Sequence, residues 1–520
     1  MKQWIARLSV PVAAIMLCVL IAKVNRPEEG NSLATPAQAA TQAAPVPHRP
    51  TAFGLNLSYP AYWSNERAFM NLAAGGIWQA PHNGWKEFDP ARIDQESTIR
   101  SLAPGEIAAM ALVRPAAAYR SDVAVRCVYD GKGVLGGIGV KNGQASPGRF
   151  DFTWPAGTKA LIRLDMTDPA DPVRHIDCRE AGADRKAVFD RAFVDGLRPY
   201  KAIRYLDWQA ANGNVAGNWA QRTLPTSTIQ GGPHGVAVEY LVLLANEAGV
   251  DPWFVMPWNT DDKSMERFAT YVRDHLDPGR TAYVEIGNEI WNMSFPAARQ
   301  ALAEGERAKL GSNRDEARMR RYAQKVTQSF RIWEKVFAGQ MPRIVRILSG
   351  QNAWPELMTI ALDYQDTASH LDAIAMAPYF GQALLLEPSA DTSDLGPLFT
   401  RLDGMIQETF VPALRAKQMA DARGLRFLGY EGGQHITYSG KDATLIPRLN
   451  RDPRMADSYR KYLDAWDRQF GDMLMLLASS GAAGSNAAFG MTEYSGQPLS
   501  ETPKRRAVLE AIERVKRQKE

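Results

Sequence analysis

The sequence predicts an α/β fold, a (β/α)8 TIM barrel with a small antiparallel β unit inserted after the first strand, on three observations. From Ala187 onward, short apolar strands alternate with amphipathic helices, the pattern of a parallel sheet covered by helices. Counting the first strand, there are eight such strands, the number that closes a barrel. No glycine-rich phosphate loop follows the first strand, which argues against an open doubly wound sheet.

The elements follow in order. "TAFGLNLSY", from Thr51, is a short strand with polar and aromatic residues at its end, and "NERAFMNLA" after it is expected to be a helix. From about Asp89 to Gly182 the texture changes to short alternating runs such as "DVAVRCVYDG", "RFDFTWPAG" and "KALIRLDMTDP", broken by Gly, Pro and Asp, which read as antiparallel strands. The barrel then resumes with "AIRYLDW" at 202–208, "WFVMPW" at 253–258, "AYVEIGNE" at 282–289, "RIVRILSG" at 343–350, "LDAIAMAPY" at 371–379 and "LRFLGYE" at 425–431. A weaker run, "SNAAFG" at 485–490, is taken as the eighth strand. Helical runs lie between them, including "VAVEYLVLLANEAG", "DDKSMERFATYVRDHL", "RDEARMRRYAQKVTQSFRIWEKVFAG" and "MADSYRKYLDAWDRQFGDMLMLLASS", with Asp or Ser near several starts and Gly at several ends. The C-terminal "TPKRRAVLEAIERVKRQKE" reads as the solvated last helix of the barrel in preference to a membrane-contacting one.

The N-terminus differs from this body. Lys2 and Arg7 precede the apolar run Leu8 to Ala22, so residues 1–25 read as a signal anchor or signal peptide, and the uncleaved anchor is favoured. Residues 26–50, rich in Ala, Pro, Thr and Gln, bury too little to fold and form a disordered linker. The expected division is therefore 1–25 anchor, 26–50 linker, 51–88 first part of the barrel, 89–182 inserted β-rich subdomain and 183–520 remainder of the catalytic barrel. The protein is expected to be exported, on the periplasmic face of the inner membrane if anchored, otherwise periplasmic or secreted. Export permits disulfides, and Cys127 and Cys178, both in the β unit, are expected to pair, the alternative being two separate buried thiols.

Composition narrows the function. With 61 basic and 57 acidic residues spread along the chain and a net charge of +4, there is no stripe that would suit nucleic acid. His82, His234 and His435 are scattered without metal-ligand spacing, and neither a nucleophile elbow nor a phosphate loop is present, so no metal and no cofactor are expected.

In a barrel of this kind the residues at the strand ends build the active site. Here they are polar or aromatic: Asp207 and Trp208 after the second strand, Trp258 and Asn259 after the third, and Asn288, Glu289 and Trp291 after the fourth. Gln351 and Asn352 follow the fifth, Tyr379 ends the sixth, and Glu431 ends the seventh, followed by Gly432, Gly433 and Gln434. A carboxylate closing an apolar strand is costly unless it is paired or used. Glu289 and Glu431 could flank one bond: at about 5 Å apart they would act as nucleophile and acid/base, at roughly 6.5 to 9.5 Å they would admit water and invert. Glu285 shares the parity of Glu289 but lies roughly 13 Å deeper, where it is expected to neutralise a buried Arg or Lys. Trp208, Trp258 and Trp291, with Tyr59, Tyr62, Trp63, Trp219, Trp354 and Phe380, follow strands on the same face and could stack on sugar rings, with Asn259 and Gln434 as polar contacts.

"IGNEIWN" and "LGYEGG" resemble the strand-four and strand-seven signatures of clan A glycoside hydrolases, retaining enzymes on a (β/α)8 barrel. The resemblance implies Glu289 as general acid/base, Asn288 as partner of the sugar 2-hydroxyl and Glu431 as nucleophile. It also implies that Arg204 helps keep the nucleophile ionised and that Tyr379 hydrogen-bonds to it. The sequence departs from the clan in lacking, in "SNAAFGMTEY", the Trp that often ends strand eight beneath the sugar. The expected function is a retaining glycoside hydrolase acting on β-glycosidic bonds of an oligo- or polysaccharide. The alternatives are a transglycosylase on the same fold and a catalytically silent saccharide-binding protein of a polysaccharide assembly or export system.

Overall fold

The computed structural model describes residues 49–81, 84–215, 217–386 and 392–518. The segment expected to be a signal or anchor and all but the last two residues of the expected linker lie outside them, as does His82; among the described residues no helix is long and apolar enough to cross a membrane.

Eight parallel strands close a barrel: Ala52–Asn56, Ala202–Arg204, Asp251–Met256, Ala282–Ile286, Ile344–Ser349, Ala373–Met376, Arg426–Gly429 and Met473–Leu476. Closure is made by the first strand, whose Gly54 pairs with Ala202 on one side and with Met475 on the other. Its lack of a Cβ matters here, because one would sit 2.2 Å from the Met475 sulfur. Side chains alternate as a barrel requires. Ala202, Trp253, Val255, Tyr283, Ile347, Ala375, Leu428 and Met475 pack together in the lumen, while Ile203, Phe254, Val284 and Leu348 pack under the helices.

Seven strands fall where the sequence places them, each ending short of its run because the polar strand-end residues lie beyond the ladder, and the third, Asp251–Met256, also begins two residues ahead of its run. The eighth does not. It is Met473–Leu476, inside the run read as the tail of a helix, whereas 485–490 is a loop that carries only an isolated bridge, Thr437 to Ala487. The helix Arg454–Gln469 is ended by left-handed residues at Gly471 and Asp472, φ 66° and 56°. The next four residues are apolar and fully buried, a pattern in which strand and helix cannot be told apart by period. The Trp that often ends strand eight in clan A is absent here too, since Leu477 follows this strand and no Trp occurs in the sequence beyond it.

"NERAFMNLA" is not a helix but a series of turns. Its backbone is drawn into tertiary pairing: Met70 N–H donates to Val188 O and Leu72 N–H to Cys178 O, so it serves as the seam between barrel and insert.

The inserted strands form two antiparallel sheets of five and four strands, running from Trp78 to Glu180, so they begin ahead of the boundary expected at residue 89. Trp78, Phe150, Phe152, Trp154, Ile162 and Leu164 fill the core between them. Cys127 and Cys178 are register partners on adjacent strands, fully buried in that core, with their sulfurs joined at 1.99 Å. The insert is tied to the barrel loop after the second strand through Ile176 N–H to Thr228 Oγ1 and Ser227 Oγ to Gln95 O. The last helix, Pro503–Arg517, buries Ala507, Val508, Ala511, Ile512 and Val515 against the barrel.

Candidate active site

The site is organised by one buried guanidinium. Arg204 ends the second strand with its side chain in the lumen, fully shielded from solvent. Nε and Nη2 donate to Glu285 Oε2 at 3.0 and 2.9 Å, Nη1 to Asn56 Oδ1 at 2.9 Å and to Glu431 Oε1 at 2.7 Å, and Nη2 also to Asn288 Oδ1 at 3.0 Å. These five bonds use all five N–H groups that an arginine has. Burial alone would make Arg204 easier to deprotonate, but the charges of Glu285 and Glu431 outweigh it and raise its pKa. Glu285 is held in turn by Trp253 Nε1 at 3.0 Å and Ser349 Oγ at 2.7 Å. It therefore plays the structural part expected of it, with Arg204 as the cation it neutralises.

Glu431 lies just past the seventh strand and is 6% exposed. One donor meets each of its oxygens, Arg204 at Oε1 and the Tyr379 hydroxyl at Oε2, the latter at 2.6 Å. Tyr379 is fixed over it by a two-residue parallel pairing of Tyr379–Phe380 with Gly433–Gln434. Its phenol is raised well above the usual range by burial and by the Glu431 charge, so it stays a donor.

Glu289 reaches the mouth through a sharp exit from the fourth strand. Gly287 and Glu289 are both left-handed, φ 67° and 45°; glycine takes this region freely, whereas for Glu289 it costs on the order of 1 kcal/mol. Tyr430 donates to Glu289 Oε1 at 3.2 Å and Asn292 Nδ2 to Oε2 at 2.8 Å. Burial, followed by the nearby charge of Glu431, pushes this carboxyl up to about 8, against the opposing pull of Asn292, Tyr430 and Arg204. Two carboxyl groups at the same end of the barrel thus sit in contrasting environments: one held by a cation and a phenol, the other by a phenol and a neutral amide and pressed toward its protonated form.

The structure brings Arg204, Asn288, Glu289, Tyr379 and Glu431 together and separates them from other residues expected at the site. Trp208 is fully buried, its ring parallel to Phe193 at 6.0 Å and against Phe69 at 5.4 Å, with its indole N–H given to Ser58 O. Trp258 is 2% exposed, between Tyr322 and the Arg321 guanidinium. Neither ring has a face left for a sugar. Asn259 spends both ends of its amide inside the loops, donating to Asn214 O and accepting from Gln300 Nε2. Gln434 braces the loop after the eighth strand, donating to Ala488 O and accepting from Ile436 N–H. Trp291 is partly exposed beside Glu289, and its indole N–H has no hydrogen-bond partner among the described residues.

Other residues belong to the site by contact. Asn56, Tyr430 and Asn292 touch Arg204, Glu289 or both neighbours directly. Asn56 closes an apolar strand with a polar side chain, the same signal that marks Glu289 and Glu431, and Asn292 and Tyr430 lie inside the two motifs quoted above. Around the mouth, Tyr59, Tyr62 and Trp63 form a contiguous aromatic group, with Tyr59 stacked on Trp63 at 5.6 Å and Tyr62 edge-on to it at 4.9 Å. Trp63 and Trp354 are 39% and 38% exposed.

No family model and no curated protein matches the chain. Solved structures similar to it include glycoside hydrolases. They include a GH51 arabinofuranosidase from Xanthomonas axonopodis pv. citri, at 14% identity over 59% of this chain and 63% of that one, TM-score 0.35. A 4-O-α-L-rhamnosyl-β-D-glucuronidase from Fusarium oxysporum 12S matches at 11% identity over 62% and 64%, TM-score 0.39. A family 39 glycoside hydrolase from Bacteroides cellulosilyticus WH2 matches at 11% identity over 75% and 77%, TM-score 0.33. The chain spans less than two thirds of the first two, and similarity at this level transfers no activity.

Proposed function

We propose that the protein is a retaining glycoside hydrolase that cleaves β-glycosidic bonds in an oligo- or polysaccharide by double displacement. The observation that supports this best is the contrast between Glu289 and Glu431: each accepts from a tyrosine hydroxyl, but Glu431 is also held by the Arg204 cation, whereas Glu289 has only the neutral Asn292 amide and is raised by burial and by the charge of Glu431.

In this reading a Glu431 oxygen attacks the anomeric carbon while Glu289, protonated at neutral pH, gives its proton to the departing glycosidic oxygen. The glycosyl ester then forms on Glu431. Glu289, now anionic, takes a proton from water, and the hydroxide adds to the anomeric carbon as the bond to Glu431 breaks. Arg204 acts through Glu431, since its donors are all committed to protein, and it holds the nucleophile aimed without touching sugar. Asn288 receives Arg204 at its oxygen and gives one amide hydrogen to Asn212, which leaves the second amide hydrogen for a sugar hydroxyl.

The proposal extends to place: an exported enzyme, tethered through the apolar N-terminal run, with a Cys127–Cys178 bridge suited to an oxidising compartment. The test is a panel of bacterial and plant β-glycans assayed for released reducing ends, with product configuration followed by NMR. Net retention, loss of turnover in Glu431→Ala and azide rescue of Glu289→Ala are expected. Full activity in Glu431→Ala ends the proposed chemistry.

A further inference from the structure

The imidazole of His435 is a buried group that the chemistry proposed for Glu289 and Glu431 does not use. The residue is 6% exposed, and among the described residues its Nδ1 is sealed from solvent with no hydrogen-bond partner. Two rings lie against it. Tyr379 has its centroid 4.8 Å away with the planes at 53°, and Phe489 has its centroid 4.7 Å away at 30°. Among the described residues Tyr379 and Phe489 make no other ring contact, so His435 is the link between them. The backbone sets this row. Tyr379 and Phe380 pair in parallel with Gly433 and Gln434, and the His435 N–H extends the pairing to Phe380 O at 2.8 Å. Ala488, just before Phe489, receives at its carbonyl both Gln434 Nε2 at 2.5 Å and Lys504 Nζ at 2.8 Å. The row thus runs from the loop after the eighth strand, through His435, to Tyr379, whose hydroxyl donates to Glu431 Oε2 at 2.6 Å.

Tyr379 needs such support, because its ring is partly exposed at the mouth and one hydrogen bond at the tip does not fix a side chain free to turn about two torsions. Both centroid spacings fall near the short end of aromatic contact, which runs from about 4.5 to 7 Å. Imidazole is the smallest aromatic ring available, so a phenyl in its place would push a neighbour away. That accounts for a histidine where its Nδ1 meets neither donor nor acceptor. Burial pushes the imidazole down to about 4, so at neutral pH the spacer is uncharged and does not compete with Arg204 for Glu431.

We infer that His435 is a positioning residue: backed by Phe489, its ring holds the Tyr379 phenol on Glu431 and through that hydroxyl fixes the direction in which the nucleophile points. The inference rests on the glycoside hydrolase reading and adds to it a residue that acts on the reaction through Tyr379. Glu431 is then aimed from two sides, by Arg204 at Oε1 from within the barrel and by the row of rings at Oε2 from the loops. A nucleophile held at only one oxygen can turn about its own side-chain torsions, and a misplacement of about 1 Å costs on the order of a hundredfold in rate.

The experiment compares wild type, His435→Ala, Tyr379→Phe and the double variant on 4-nitrophenyl β-glycosides and on the β-glycan that wild type cleaves fastest, with folding monitored by circular dichroism. His435→Ala is expected to lower kcat by about ten- to a hundredfold and to leave KM within about twofold. Added imidazole should restore part of that kcat and leave wild type unaffected. In the Tyr379→Phe background His435→Ala should cost little more, since its effect passes through the missing hydroxyl. Losses that multiply in the double variant overturn the inference, as does wild-type kcat in a folded His435→Ala. If His435→Ala does not fold, Phe489→Ala, at a partly exposed ring, carries the same cycle. A crystal structure of the folded variant adds a readout that needs no substrate: the Tyr379 hydroxyl is expected away from Glu431, and a hydroxyl still bonded to it overturns the inference. If wild type cleaves no glycoside and no glycan, the glycosidase reading itself has failed, while that crystal structure still decides whether His435 places Tyr379.

Discussion

Arg204 and Glu285 form an ion pair with no solvent access on either side chain, at 2.9 Å, and the same guanidinium reaches Glu431 at 2.7 Å. A buried cation between two carboxylates is stable only as a complete set. Glu285→Gln should therefore cost about 3 kcal/mol of stability, read from urea denaturation, although Glu285 touches no substrate. It should also lower kcat with little change in KM, because Arg204 would lose the partner that fixes its aim at Glu431. A stable variant with wild-type kcat would reduce Glu285 to a packing residue.

Glu289 carries a pH prediction in two parts. Its carboxyl is raised from 4.5 to about 8, so kcat/KM should fall as pH rises through about 8 and the acid loses its proton. The linkage sign is that of a raised carboxyl: the folded state holds its proton more tightly than the unfolded chain does. The stability this confers is whole below about pH 4.5 and is lost as pH rises to about 8. Glu289→Gln escapes that loss. It should be inactive toward unactivated glycosides yet more stable than wild type at pH 8.5, as judged by thermal unfolding at several pH values. Equal stability at pH 8.5 would mean that Glu289 is not protonated in the folded protein.

Much of this was legible in the sequence, for definite reasons. Six barrel strands announce themselves as apolar runs alternating with helices and the first as an apolar run ending in polar residues, and Glu289 and Glu431 stand out because a carboxylate has no reason to end such a run unused. The eighth strand is hidden because Met473–Leu476 is apolar at every position and only three residues, Phe470, Gly471 and Asp472, part it from a helix, so that the left-handed Gly471 and Asp472 are the one stop signal between two apolar runs. Trp208 and Trp258 sit past strand ends as Trp291 does, but position along the chain does not say which way a ring turns. Arg204 was visible as a partner of Glu431, whereas its five-way commitment depends on residues from strands far apart in sequence.

Trp208 and Trp291 can be separated by experiment. Trp208→Ala removes a ring packed among Phe69, Phe193 and Tyr205 and should cost about 3 to 5 kcal/mol, with KM unchanged in the protein that remains folded. Trp291→Ala, at a partly exposed ring beside Glu289, should leave the unfolding midpoint nearly in place and raise KM. A Trp208→Ala protein that is stable but binds glycan weakly would return that ring to the cleft.

The bridge between Cys127 and Cys178 closes 51 residues of the insert, which in the chain-entropy account is worth about 4 kcal/mol. The gain falls on the insert, whose core the two sulfurs share with Trp154, Phe150 and Ile162. That core is also the anchorage of the seam at Leu72 and of the loop at Thr228, both on the barrel side. Reduction, or Cys127→Ala with Cys178→Ala, should therefore lower the thermal midpoint and first increase amide exchange in the strands at 123–130 and 174–180. Exchange in the barrel strands carrying Glu289 and Glu431 should change least, since neither sulfur touches them. Two free thiols in the unreduced protein, found by mass spectrometry, would remove the bridge and this prediction together.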